Sequence, residues 1–278
     1  MNARIFPTNS LQGEVTLPAS KSYSIRAFLV AACGGQSRII RPSLCDDALA
    51  AASVARKLGA QVNRGEDNVW EIAAGAGREQ LQAINVKESG TVLRILLPLV
   101  ALRNKSAAVT GEGTLKGRPN AHLVEALQRR GISVRGVGSV HSVPIRFDGG
   151  KFRGGDIQID GSLSSQFVSA LLMACPQVPE DSCVTVTGGK QVSVDYITMT
   201  IQILRKAGVV IKKKGKCAYQ IAGGQRFRGL KNFYVPSDYG LAAFLMAAAA
   251  LIESNVRLNG YLNDEFVQAD AAILPFLR

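Results

Sequence analysis

Four stretches decide the fold: Ser20-Lys-Ser-Tyr-Ser-Ile-Arg-Ala-Phe-Leu-Val30, Ser89-Gly-Thr-Val-Leu-Arg-Ile-Leu-Leu97, Ser164-Ser-Gln-Phe-Val-Ser-Ala-Leu-Leu172 and Ser237-Asp-Tyr-Gly-Leu-Ala-Ala-Phe-Leu245. Each opens on small polar residues and runs straight into an apolar helical pattern. Their first serines are 69, 75 and 73 residues apart, so the chain repeats with a period of about seventy. Serine before an apolar run is a helix start, because its oxygen accepts a hydrogen bond from an otherwise unpaired backbone N–H.

Working outward, a second helix follows each of the first three. The pattern predicts helices from Asp46, Pro119 and Ser193, closing on Arg56-Lys-Leu-Gly59, Arg129-Arg-Gly131 and Arg205-Lys-Ala-Gly208. Basic residues in a last turn followed by glycine suit the helix dipole and a left-handed C-cap. Short β-branched runs at Arg38–Ile40, Ala107–Thr110, Val184–Thr187 and Val256–Leu258 read as strands, and hairpin-like pairs follow the second helices. The lysine run Lys212–Lys216 reads as a solvated turn of one such hairpin. The unit is βαβαββ and the class α/β. A fourth unit breaks off at Arg278 before its hairpin, so the chain is expected to stop within a repeat.

Composition narrows the function. Of 278 residues 47% are hydrophobic and 19% charged, which excludes a disordered chain. Thirty-three Lys+Arg against 21 Asp+Glu give +12, which calls for an anionic partner. The five cysteines form no Cys-x-x-Cys pair and there are two histidines, so neither a disulfide framework nor a zinc-ribbon or His-based metal site is expected. The N-terminus carries no apolar signal segment and the apolar runs fall short of a membrane span, so a cytoplasmic protein without membrane contact is expected. Nothing besides charge points to nucleic acid: the lysine run has no interleaved aromatics, and Gly111-Glu-Gly-Thr-Leu-Lys-Gly lacks the ending of a nucleotide-binding loop.

Helix starts are natural anion sites. The first brings Lys21, Ser22 and Arg26, the second Gly90 with room for close approach, and the third Ser164, Ser165 and Gln166. Arg118 stands at the mouth of a second helix. Simple capping accounts for any one of these; three in register favour ligand binding. Asp238 at the fourth start repels anions and reads as a cap. Asp46-Asp47 reads as an N-terminal charge pair, and His122 and Met199 as packing residues.

These motifs resemble the EPSP synthase (3-phosphoshikimate 1-carboxyvinyltransferase) family. Leu17-Pro-Ala-Ser-Lys-Ser-Tyr-Ser-Ile-Arg-Ala27 is similar to its first signature and Gly111–Leu123, with Arg118-Pro119, to its second. Ser164-Ser-Gln-Phe167 and Ser193-Val-Asp-Tyr196 resemble two further elements, in family order. The resemblance implies an inside-out α/β barrel of repeats around a pseudo-threefold axis, in two lobes. One lobe, 18–235, would be complete; the other would hold the strand 1–17 and an incomplete unit, 236–278. It implies transfer of the enolpyruvyl group of phosphoenolpyruvate to the 5-hydroxyl of shikimate 3-phosphate, releasing phosphate, by a usually monomeric enzyme without a cofactor. It also implies roles: Lys21 catalytic and touching both substrates; Ser22, Arg26, Ser164, Ser165, Gln166, Ser193 and Tyr196 on shikimate 3-phosphate; Gly90, Arg118 and Gln166 on phosphoenolpyruvate. Glu88 and Ile25 depart from the family pattern, where asparagine is common at both. The family's acid–base residues lie in a C-terminal third that this chain is expected to lack. The chain alone is therefore expected to be inactive, or to bind shikimate 3-phosphate without turnover unless a missing segment is supplied.

Overall fold

A computed structural model describes residues 4, 6–75, 83–103, 105–189, 192–262 and 265–277. Arg278 and the first three residues, on which two expectations rest, lie outside them. The first unit runs β1 (Ser10–Thr16), α1 (Lys21–Ala31), β2 (Gln36–Ile40), α2 (Asp46–Lys57), β3 (Gln61–Arg64) and β4 (Val69–Ala73). The second is β5 (Ala83–Asn85), α3 (Gly90–Ala101), β6 (Ser106–Thr110), α4 (Ala121–Arg129), β7 (Ile132–Val137) and β8 (Ser142–Gly150). The third is β9 (Gly155–Asp160), α5 (Ser165–Ala174), β10 (Ser182–Thr187), α6 (Val194–Lys206), β11 (Ile211–Lys214) and β12 (Ala218–Ile221). Then come β13 (Phe233–Tyr234), α7 (Tyr239–Leu251), β14 (Glu253–Asn259) and α8 (Ile273–Phe276).

Three four-stranded sheets among the described residues share one order: lead-in strand, strand after the first helix, then the hairpin with its second strand inward. They are β13-β2-β4-β3, β5-β6-β8-β7 and β9-β10-β12-β11. The lead-in strand pairs in parallel and the others antiparallel. The first sheet takes its lead-in strand from β13, after the third unit, with Phe233 opposite Ile39. β1 instead pairs in parallel with β14, Ser10 opposite Glu253 through Thr16 opposite Asn259.

The three first helices form the centre. Every residue of α1 from Tyr23 to Ala31 is buried, as are most of α3 and α5, which fits sequences apolar on all sides. α2, α4 and α6 bury one face each. They end on Gly59, Gly131 and Gly208 at φ 93, 92 and 86, a region that disfavours any side chain. Trp70 packs edge-on against Phe28 at 5.1 Å, Met199 is 2% exposed, and His122 meets the Phe167 ring.

The fourth helix is capped by Asp238, as the sequence suggests, its Oδ1 accepting from the N–H groups of Gly240 and Leu241. Two expectations shift. α4 begins at Ala121 after Asn120, two residues past Pro119, because Asn120 turns inward to bind other carbonyls. Lys212–Lys214 lie in β11, and Gly215, Lys216 and Cys217 make the turn, because Ile211 and Tyr219 fix the hairpin's buried face.

Candidate functional site

The predicted residues fall in two groups on neighbouring helix mouths. At the first, the Ser20 hydroxyl caps α1 by accepting from Tyr23 N–H at 3.5 Å, leaving Lys21 and Ser22 at the rim. The Lys21 ammonium meets Asp47 Oδ2 at 3.2 Å, and its backbone N–H donates to Asp238 Oδ2 at 3.0 Å. Asp238 thus ties the starts of α1 and α7 together. A cavity of about 340 Å³ opens here, lined in part by Lys21, Ser22, Ser43, Tyr196 and Asp270.

Arg26 lies beneath it, 1% exposed. Its guanidinium donates to Thr200 Oγ1 at 2.8 Å, Ser22 O at 2.9 Å and Tyr196 O at 3.2 Å, and lies over the Tyr196 ring. Burial pulls its pKa down to about 10, opposed by Tyr23 and Tyr196. Thr200 also donates toward Ser169 Oγ, joining α1, α5 and α6 in a buried polar chain. Burial raises the Tyr196 pKa, and Asp270 adds to the rise. Ser193 enters α6 in the left-handed region, φ 52, exposed and without a capping bond.

The second group joins α3 and α5. Gly90 opens α3, and a Cβ there would stand 3.1 Å from Arg118 Nη1, so glycine makes room for that guanidinium. Arg118 is exposed and donates to Thr114 Oγ1. Ser164 caps α5 by accepting from Gln166 N–H at 3.2 Å, and Ser165 is buried. Glu88 turns away over the Gly113 loop, its carboxylate filling the space that a Cβ on Gly113 would take, while Ile25 is fully buried in the core.

Sequence reading missed Arg94. Its guanidinium donates to Gln166 Oε1 at 2.8 Å, Ser164 Oγ at 3.2 Å, Pro119 O at 3.2 Å and Asn120 Oδ1 at 3.4 Å, and lies 4.8 Å over the Phe167 ring. Burial, then Arg118, lower its pKa to about 10. The available signal was one arginine inside the otherwise apolar run of α3. Asp47, Thr91 and Thr200 were equally unassigned to the site. Among the described residues no cluster of His, Cys, Asp or Glu suits a metal ion, and no helix is long and apolar enough to cross a membrane.

Three βαβαββ units whose inner helices open on polar, cationic mouths define an enolpyruvyl-transferase type of fold. A family model described as EPSP synthase (3-phosphoshikimate 1-carboxyvinyltransferase) matches residues 5–277, and the chain belongs to that family. A 3-phosphoshikimate 1-carboxyvinyltransferase of Methanococcoides burtonii is 35% identical over 277 residues, covering 97% of this chain and 63% of the relative. One from Methanothrix thermoacetophila is 36% identical, covering 97% and 62%. The solved EPSP synthase of Acinetobacter baumannii superposes with a TM-score of 0.76 at 26% identity, over 91% of this chain and 56% of that one. The chain thus spans about three fifths of the length of these curated relatives.

Proposed function

We propose that this chain binds shikimate 3-phosphate and phosphoenolpyruvate and takes part in enolpyruvyl transfer to the 5-hydroxyl of shikimate 3-phosphate, with release of phosphate. The observation that carries this reading is the convergence of Gly90, Arg118, Ser164 and Gln166 around Arg94, two guanidinium groups with no carboxylate partner among their described contacts. Cations held against neutral acceptors gain most from an incoming phosphate or carboxylate. Lys21 stands at the neighbouring mouth to touch both substrates. Ser22, Arg26, Ser193 and Tyr196 complete the shikimate 3-phosphate side, with Arg26 acting from beneath the rim. Positioning and charge stabilisation are the chemistry such groups supply.

In this reading residues 18–235 form one lobe, and 1–17 with 236–278 belong to the other. The separate pairing of β1 with β14 and the use of β13 to finish the first sheet support that division.

Calorimetric titration with shikimate 3-phosphate tests the site. Lys21→Ala and Ser164→Ala should each weaken binding about 10- to 150-fold, the effect of about 1.5–3 kcal/mol for a charge-assisted contact. Unchanged affinity in both variants rejects the assignment. Phosphate release is then measured with this chain alone and with the C-terminal segment of a full-length relative added. Turnover only on mixing assigns proton transfer to groups that this chain does not supply.

A further inference from the structure

A glutamine amide is nearly symmetric in shape and opposite in chemistry at its two ends. At an anion site the difference is decisive, because the N–H₂ end attracts a phosphate and the carbonyl end repels it. Gln166 stands at the second position of α5, within reach of the helix mouth, and its amide is held at both ends. Oε1 accepts from Arg94 Nη1 at 2.8 Å, and Nε2 donates to Thr91 Oγ1 at 3.0 Å.

Arginine has no acceptor, so only the carbonyl end of Gln166 can face Arg94. That leaves Nε2 on the α3 side, where Thr91 uses one hydrogen and the other remains for a ligand beside Gly90. Asn120 repeats the logic. Its Oδ1 faces Arg94 Nε at 3.4 Å, and its Nδ2 donates to Arg118 O at 3.0 Å and His141 O at 3.2 Å, fixing the loop that presents the Arg118 guanidinium. Asn120 is fully buried, so its orientation is set by these partners alone. Arg94 Nη1 further reaches the Ser164 hydroxyl at 3.2 Å.

We propose that Arg94 is a positioning residue whose guanidinium sets the direction of the Gln166 and Asn120 amides. It thereby joins the starts of α3 and α5 and the Arg118 loop into one anion-binding surface. The consequence for substrate rests on the reading of the previous subsection; the orienting role does not. Lysine cannot replace it, because a single ammonium on a flexible stem cannot hold four acceptors on two segments in fixed directions.

The experiment has two arms. The first needs no substrate: the Gln166 side-chain amide is followed by ¹⁵N NMR in the free chain. Its signals should sit away from the exposed-glutamine position and exchange slowly. Arg94→Lys should move them to that position, and so should the near-isosteric Thr91→Val, which removes the acceptor at the other end without touching the guanidinium. Gln166 signals that stay in place in both variants overturn the proposal.

The second arm titrates shikimate 3-phosphate. Arg94→Lys should weaken binding as much as Gln166→Ala does, tenfold or more, and the double variant should be no weaker than either single one. Additive losses overturn a role exerted through Gln166. Gln166→Glu should raise the melting temperature by pairing with Arg94 and abolish binding by presenting a carboxylate to the anion; normal binding by Gln166→Glu also overturns it. A wild-type chain that does not bind shikimate 3-phosphate rejects the substrate reading, and the first arm still decides the role of Arg94.

Discussion

The ammonium of Lys21 and the carboxylate of Asp47 face each other at 3.2 Å, so the first cation of α1 is already neutralised by the second acid of α2. The side chains are 53% and 28% exposed, which puts the pair in the weak, salt-screened class. Any phosphate arriving at Lys21 must compete with Asp47. Asp47→Asn should therefore tighten shikimate 3-phosphate binding about two- to fivefold at low salt, the ~0.4–1 kcal/mol scale of such pairs. Titrations at two ionic strengths check this; weaker binding by the variant would show that Asp47 orients Lys21 instead.

Gly90→Ala separates stability from binding. Alanine is the better helix former by about 0.5–1 kcal/mol, so the melting temperature should hold or rise. The new Cβ would press on Arg118 Nη1, the free end of a flexible side chain, and displace it. Phosphoenolpyruvate, titrated in the presence of shikimate 3-phosphate, should bind several-fold more weakly. Equal affinity would place Arg118 outside the site.

Cys175 is fully buried, and burial holds its thiol at about 12 against an ordinary 9.0. Above pH 9 the unfolded chain loses that proton while the folded chain keeps it, so folded stability is intact below pH 9 and falls between pH 9 and 12. The slope per thiol is at most about 1.4 kcal/mol per pH unit. Denaturant titrations at about pH 8 to 10.5 should show a shallower decline in Cys175→Ala. In the native chain a thiol reagent should react quickly with exposed Cys45 and Cys217 and leave Cys175 untouched.

α7 presents Leu241, Phe244 and Leu251 at 50%, 78% and 82% exposure, and buries only Tyr239 and Ala242 of its own length. Its amides should exchange far faster than those of Val92–Val100 in α3. Phe244→Glu should reduce dye binding and aggregation while changing stability by no more than about 0.5 kcal/mol. Equal protection of the two helices would refute the picture.

The caps at Ser20, Ser89 and Ser164 were legible because an N-cap is a local event, decided by a few residues of side chain and backbone. So were the three closing glycines. Arg94 was not, because its four acceptors come from α3's neighbours in space, and its sequence context is that of a core helix. Lys212–Lys214 looked like a turn because charge conceals a strand whose buried register is carried by few residues. Two-residue β13 has no pattern of its own and pairs only through distant partners. Asp47 was read correctly as a helix-start charge, but its pairing with Lys21 depends on how α1 packs on α2.

The borrowed lead-in strand has a consequence for synthesis. Ser37 accepts a backbone hydrogen bond from Leu230, 193 residues further along the chain. When β2 leaves the ribosome, the edge that will receive β13 is therefore unoccupied. At typical elongation rates it stays so for roughly 10–40 s. An open edge flanking Ile39 is a template for the wrong strand, from the same nascent chain or from its neighbour on the polysome. Translation speed over units two and three thus sets how long the first-made sheet is vulnerable, and a chaperone that covers Gln36–Ile40 during that interval would act where this topology is weakest.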